Sequence, residues 1–133
     1  MAGIASIRAA LETALAGVTP PLVTVWENTS FEATADTPYQ ICNILFASPD
    51  NNEYGSGYQE LGYMQIKLMY PLDAGTFDIN ARAELLRTTF ARGNSFTNGG
   101  VITIIQKTPE IRPGHVEGDR WAVAVLIRFF ANI

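Results

Sequence analysis

The stretch Tyr58-Gln59-Glu60-Leu61-Gly62-Tyr63-Met64-Gln65-Ile66-Lys67-Leu68-Met69-Tyr70 sets how the rest of this chain is read. Met64, Ile66, Leu68 and Tyr70 fall on one side and Gln65 and Lys67 on the other, the period of two expected of a half-buried β-strand. At thirteen residues the segment is long for a strand, so a bend or bulge near Gly62 is expected. The last segment repeats the pattern. Trp121, Val123, Val125, Ile127 and Phe129 line one face, with Arg120, Ala122, Ala124 and Arg128 opposite. Phe129 and Phe130 point opposite ways, so either the sheet is covered on both sides or one of the two rings serves an interface.

Outward from these two segments, Tyr39 to Phe46 reads as a strand apolar on both faces, through Ile41, Cys42, Ile44, Leu45 and Phe46. Leu22 to Trp26 and Val101 to Lys107 read as shorter strands. Two segments follow helical spacing instead. Gly3 to Ala16 carries Ile4, Ile7, Leu11 and Leu15, and Thr76 to Ala91 carries Ile79, Ala83, Leu86 and Phe90. Gly17 is expected as a left-handed cap before Pro20-Pro21, and Gly93 as the stop of the second helix. Ser48 to Gly57 and Thr108 to Asp119 are rich in turn residues and read as loops. The order helix, three strands, helix, two strands predicts an α+β fold. Residues 1–133 are expected to form a single domain, with a mostly antiparallel or mixed sheet of about five strands packed with two amphipathic helices.

Composition narrows the function classes. With 47% hydrophobic and 17% charged residues among 133, the chain is rich enough in apolar side chains to bury a core and is not disordered. A single cysteine, Cys42, excludes an intramolecular disulfide and a cysteine-built metal cage. The net charge of −4 argues against a general nucleic-acid binder. No apolar run approaches the roughly 20 residues that span a bilayer. Arg8 and Glu12 interrupt the apolar N-terminal stretch, which does not read as a signal peptide. A soluble, intracellular protein with no membrane partner is expected. Charge is uneven: Ala9 to Ile66 holds seven acidic residues and no lysine or arginine, whereas Lys67 to the end holds eight basic and six acidic ones. Such a field can orient partners and repel other anions, although a solvated acidic loop surface accounts for it equally well.

Nothing in the chain reads as a catalytic, metal or cofactor site. No glycine loop followed by lysine and no nucleophile elbow is present. Cys42 and His115 are the one thiol and the one imidazole, yet Cys42 lies in an apolar strand and reads as a buried, inert thiol. His115, Glu117 and Asp119 crowd three potential ligands together, but Gly114 and Gly118 explain the segment as a turn. Glu27 and Glu32 sit in polar surroundings that give no reason for the burial an acid–base pair requires.

A family pattern covers nearly the whole chain. It comprises Val25-Trp26-Glu27-Asn28-Thr29-Ser30-Phe31, Pro38-Tyr39, Glu60-Leu61-Gly62-Tyr63-Met64-Gln65-Ile66, Tyr70-Pro71 with Gly75, and Gly118-Asp119-Arg120-Trp121. In order and spacing it resembles the small tail terminator proteins of long-tailed bacteriophages. The resemblance implies a structural role without catalysis or cofactor. It also implies a homo-oligomeric ring, typically of six copies, at the head-proximal end of the tail in the virion, assembled in the cytoplasm of the host bacterium. Such a ring caps the tail tube protein, stops further addition and offers a docking surface to the head-completion or connector protein. DNA passes through its channel without specific binding. Other readings are a head–tail joining or minor tail protein, or a small-ligand-binding domain or enzyme.

On that resemblance, Asp50, Glu53, Tyr54 and Tyr58 in one loop and His115 in the other are expected at subunit or partner interfaces. Arg82 and Arg87 either join them or simply solvate the outer helix face, the second being the commoner fate of helix arginines. Glu27, Glu32, Asp36 and Glu60, with Asp50 and Glu53, are expected to give the channel an acidic wall.

Overall fold

The final strand organises the sheet. In the computed structural model, which describes residues 3–51 and 57–133, β8 (Arg120–Asn132) pairs along its whole length with β3 (Gln59–Pro71). Its other edge is shared in succession by β7 (His115–Glu117), β6 (Glu110–Ile111) and β5 (Val101–Ile105). Beyond β3 lie β2 (Tyr39–Phe46) and β1 (Val23–Val25), and beyond β5 lies β4 (Ser95–Asn98). The β1–β2 pair is parallel and every other pair antiparallel, so the sheet is mixed and eight-stranded. Two helices complete the α+β fold, α1 (Gly3–Ala16) and α2 (Phe77–Thr89).

Both helices pack on the same face. Ile7, Leu11 and Leu15 of α1 and Ile79, Ala83 and Leu86 of α2 share one core with Cys42, Ile44, Met64, Ile66, Leu68, Val123, Val125, Ile127 and Phe129. The period-two residues of both long strands therefore supply the floor and the helical stripes the roof, as the pattern predicts. Among the described residues, no helix lies on the opposite face.

Several expectations are corrected. The strand count exceeds five because β6 and β7 lie within Thr108–Asp119, expected as a loop, and because β4 precedes Gly99-Gly100. Strands of two and three residues are too short to display a period; they exist because β8 offers them an unpaired edge. β4 and β5 form a two-residue hairpin in which Asn98 faces Val101 and both Gly99 and Gly100 have positive φ, as a primed turn requires. Gly17 is not left-handed; its N–H simply donates to the Thr13 carbonyl at 3.1 Å. β2 buries Gln40, Cys42 and Ile44 but leaves Leu45 exposed, so only its helix-side face is core.

No bulge occurs at Gly62. The β3–β8 register runs one to one through the Gly62↔Phe129 pair, and the glycine answers a different constraint. A Cβ there would lie 2.3 Å from the Leu45 carbonyl oxygen, 3.0 Å from the Phe129 ring and 3.1 Å from Phe46 Cα. Backbone oxygen cannot swing aside as a flexible side chain does, so any larger residue forces β2 and β3 apart. Gly62→Ala is expected to cost about 1–3 kcal/mol of stability, read as a lowered urea midpoint, with Gly75→Ala (open space, φ 77°) as the contrasting backbone-strain control.

Candidate functional site

The chain leaves β1 at Trp26-Glu27-Asn28-Thr29 in a tight turn. Asn28 adopts φ 58°, and the Thr29 hydroxyl donates to the Trp26 carbonyl at 2.7 Å. This geometry sends the Glu27 carboxylate back toward β2 and α1. Its Oε1 accepts from the Ile44 N–H at 2.6 Å and from Arg8 Nη1 at 2.8 Å, while Arg8 Nη2 donates to the Ile44 carbonyl at 3.2 Å. Glu12 stands 3.8 Å from the same guanidinium. The Arg8 hydrogen bond holds the Glu27 carboxyl below the usual carboxylate range; partial burial opposes it and the Ile44 amide reinforces it. Glu27 is thus a staple between helix and sheet rather than a free surface charge.

A second staple closes the other side. Arg120, buried at the start of β8, donates through Nη1 to the Thr37 carbonyl at 2.5 Å and through Nη2 to the Thr34 carbonyl at 2.7 Å. Its guanidinium also lies 5.0 Å from the centre of the Tyr39 ring, which in turn meets Phe31 at 5.0 Å. Strand alternation puts Arg120 and Tyr39 on the face without helices, so residues 34–37 are held against that side of the sheet. The β7–β8 hairpin brings Arg120 there through a two-residue turn, Gly118-Asp119, with Gly118 at φ 60°.

The rest of that face is open. A hollow of about 490 Å³ is lined by Tyr63, Gln65, Lys67, Arg112, His115 and Glu117 around Ala124 and Leu126. Within it Lys67 Nζ donates to both Glu117 oxygens at 3.0 Å, and His115 Nε2 lies 3.3 Å from Glu117 Oε1. The hydrogen bond from Lys67 holds the Glu117 carboxyl low, with partial burial opposing it and His115 adding to the effect. Lys67 and Glu117 thus satisfy one another within the hollow. Cys42 lies on the other face, where burial pushes its thiol up to about 12, so it is not a nucleophile near neutral pH.

The residues singled out from the sequence scatter. Glu32, Asp36 and Asp50 are exposed, Asp50 bridging to Gln59 beside Tyr58. Glu27 is paired, as above, and Glu60 is buried on the helix side of β3. Glu53 and Tyr54 lie outside the described residues. The solvent-facing reading of Arg82 is overturned. It is buried at 6% exposure because α2 turns it inward, where Nη1 donates to the Pro20 carbonyl and burial lowers its pKa. Arg87 is half-buried, and its Nε donates to the Pro109 carbonyl at 3.1 Å. No pairing role was anticipated for Arg8, Lys67, Glu117 or Arg120. An arginine opening an otherwise apolar strand, just after a Gly-Asp turn, is the signal by which Arg120 could have been found.

The quoted motifs therefore coincide with the fold's closures: Trp26–Phe31 with the first staple, Gly62 with the tight β2–β3 approach, Gly118–Trp121 with the second staple. A family model described as "Phage tail terminator protein" matches residues 6–129. The chain belongs to the phage tail terminator family. A solved structure superposes on this tail terminator fold with a TM-score of 0.75, covering 96% of this chain and 92% of its own at 19% identity. That likeness shows a shared fold. No curated protein matches the chain. Family membership makes this a virion-associated structural protein of the phage tail.

Two outcomes check the staples. Arg120→Met leaves two loop carbonyls without donors and is expected to lose about 2–3 kcal/mol, with faster amide exchange across residues 31–39 than elsewhere. The depressed carboxyls of Glu27 and Glu117 contribute stability that is complete above the ordinary carboxylate pKa and is lost as pH falls through their lower folded values. Urea midpoints measured from neutral pH downward should therefore fall less steeply in a Glu27→Gln, Glu117→Gln double variant than in the native chain.

Proposed function

We propose that this chain caps the head-proximal end of the phage tail tube as a homo-oligomeric ring, typically of six copies. The ring ends tube polymerisation and offers its outer surface to the head-completion or connector protein. The observation that carries this reading is the two-sidedness of the sheet in a tail terminator family member. One face is sealed by α1 and α2; the other presents wide, shallow surface with exposed Leu45 and Ile102 and half-buried Leu61, Ile104 and Phe130. A protein that works by adhesion needs large unlike surfaces of this kind, whereas one that transforms a small molecule needs converging, perturbed polar groups.

The channel would carry DNA without holding it, so acidic residues are expected to face it. The exposed carboxylates that serve this purpose are Glu32, Asp36 and Asp50. Glu27 and Glu60 are tied into the protomer and belong to its stability instead. Assembly would take place in the cytoplasm of the infected bacterium, before the head joins.

Particles made without this gene product should show overlong tails without heads by electron microscopy. Tubes of normal length with no head attached would assign head–tail joining in its place. Reversing Glu32 and Asp50 to lysine together with Asp36→Asn, which keeps a residue suited to the φ of 62° there, is expected to slow DNA ejection while leaving the urea midpoint of the purified chain unchanged. Ejection at the native rate would remove the acidic channel from the reading.

A further inference from the structure

Two exposed apolar patches lie at opposite ends of the long β3–β8 pair, and they differ in charge. The first is on the bare sheet face, where strand alternation stacks rows across the sheet: Leu61, Phe130 and Ile104 in one row, Leu45, Tyr63 and Arg128 in the next. Ile102 extends it on β5, 49% exposed, and Leu45 is 44% exposed. Arg128 is its exposed charge. The guanidinium rests 5.7 Å from the centre of the Tyr63 ring and forms no ion pair among the described residues. Asp50, on the bridge to Gln59, stands at the border.

The second patch lies where β3 ends and α2 begins. A hollow of about 290 Å³ is lined chiefly by Pro71, Leu72, Thr76, Val116 and Trp121, and the next residue after Thr76 is Phe77, 82% exposed. Leu72 and Val116 are exposed as well. Asp73 lines the hollow, Asp78 follows Phe77 on α2 and Asp119 lies two residues before Trp121, all three solvent-facing; among the described residues only Asp119 of the three forms an ion pair, with Arg120 at 3.9 Å. A phenylalanine exposed to this degree on the first turn of a helix contributes nothing to the protomer's core. Exposed apolar clusters of this kind mark protein contacts.

We propose that the two patches bind each other between copies of the chain, head to tail. Phe77 of one copy seats on the Leu45, Leu61, Ile104 and Phe130 surface of the next, and its acidic surround meets Arg128. The inference rests on the ring reading above and names its interface. Three features support it. Each patch is apolar at the centre, so each gains by covering the other. The charges are opposite in sign, whereas a knob-to-knob contact would press six carboxylates together, three from each copy. Leu61 and Pro71 are ten residues apart on β3, roughly 33 Å along an extended strand. Patches so separated leave each copy room to hold two neighbours at once, one at each end. A contact between unlike surfaces repeats from copy to copy, and closes into a ring when the rotation allows.

The test uses the full chain with Phe77→Asp in one variant and Ile104→Asp with Arg128→Glu in another. Oligomeric mass is followed by sedimentation up to millimolar concentration, with the circular dichroism spectrum and urea midpoint confirming that each variant folds. Native chain should assemble, and each variant alone should need roughly tenfold or more protein to do so. Mixed one to one, the variants should form a heterodimer and nothing larger, because a single intact knob and a single intact sheet face remain between them. If the sheet-face variant does not fold, Arg128→Glu alone, partnered with Asp78→Arg for rescue, replaces it. A native chain that stays monomeric, or variants that assemble as the native chain does, overturns this interface. Assembly that survives both changes leaves the capping reading intact, since that reading falls only with tubes of correct length formed without the chain. A sheet face that binds purified tube protein but not its own kind would assign it to the tube instead.

Discussion

Everything in this molecule hangs on β8 having both edges filled. One edge is a single uninterrupted partner, β3; the other is assembled from three short pieces, β7, β6 and β5. An unpaired backbone group buried in the sheet would cost far more than a paired one gains, so pairing at this central strand is obligatory. It fixes the side-chain alternation of β3, and through β3 that of β2, so one register choice determines which face receives the helices. The two arginine staples then tie the irregular connections to this frame, Arg8 on the helix side and Arg120 on the bare side.

Much of the fold was legible from spacing. The bounds of α1 and β2 agree with their periodic segments to the residue, and the core stripes of both helices fall where their spacing puts them, except that Ile4, expected on the α1 stripe, is exposed. What was not legible depends on partners distant in the chain. β6 and β7 have no pattern of their own and exist only because β8 passes beside them. Gly62 invites a bulge when read locally; its real constraint is the Leu45 carbonyl, seventeen positions earlier, which no local window contains. Arg82 follows the same logic: a helix surface is polar by default, yet the segment ending in Pro20 crosses above it and supplies a carbonyl.

The candidate surface was read less completely. Acidic composition pointed to a wall of carboxylates, but sequence does not distinguish a free carboxylate from a paired one. Glu27, central to the motif, is held by Arg8 and an amide, whereas Glu32 and Asp36 remain open to solvent. The apolar knob at Phe77 was missed because it sits in phase with neither helix stripe nor strand; an apolar residue out of phase with its own element is the sign by which such anchors can be found.

The passage from β1 to β2 joins two parallel neighbours without a covering helix, and its far side is pinned by an arginine lying 83 positions after Thr37 and 86 after Thr34. During synthesis, that strap has nothing to fasten to until the last strand leaves the ribosome. The bare side of the sheet is therefore completed last, so no shortened chain presents it whole.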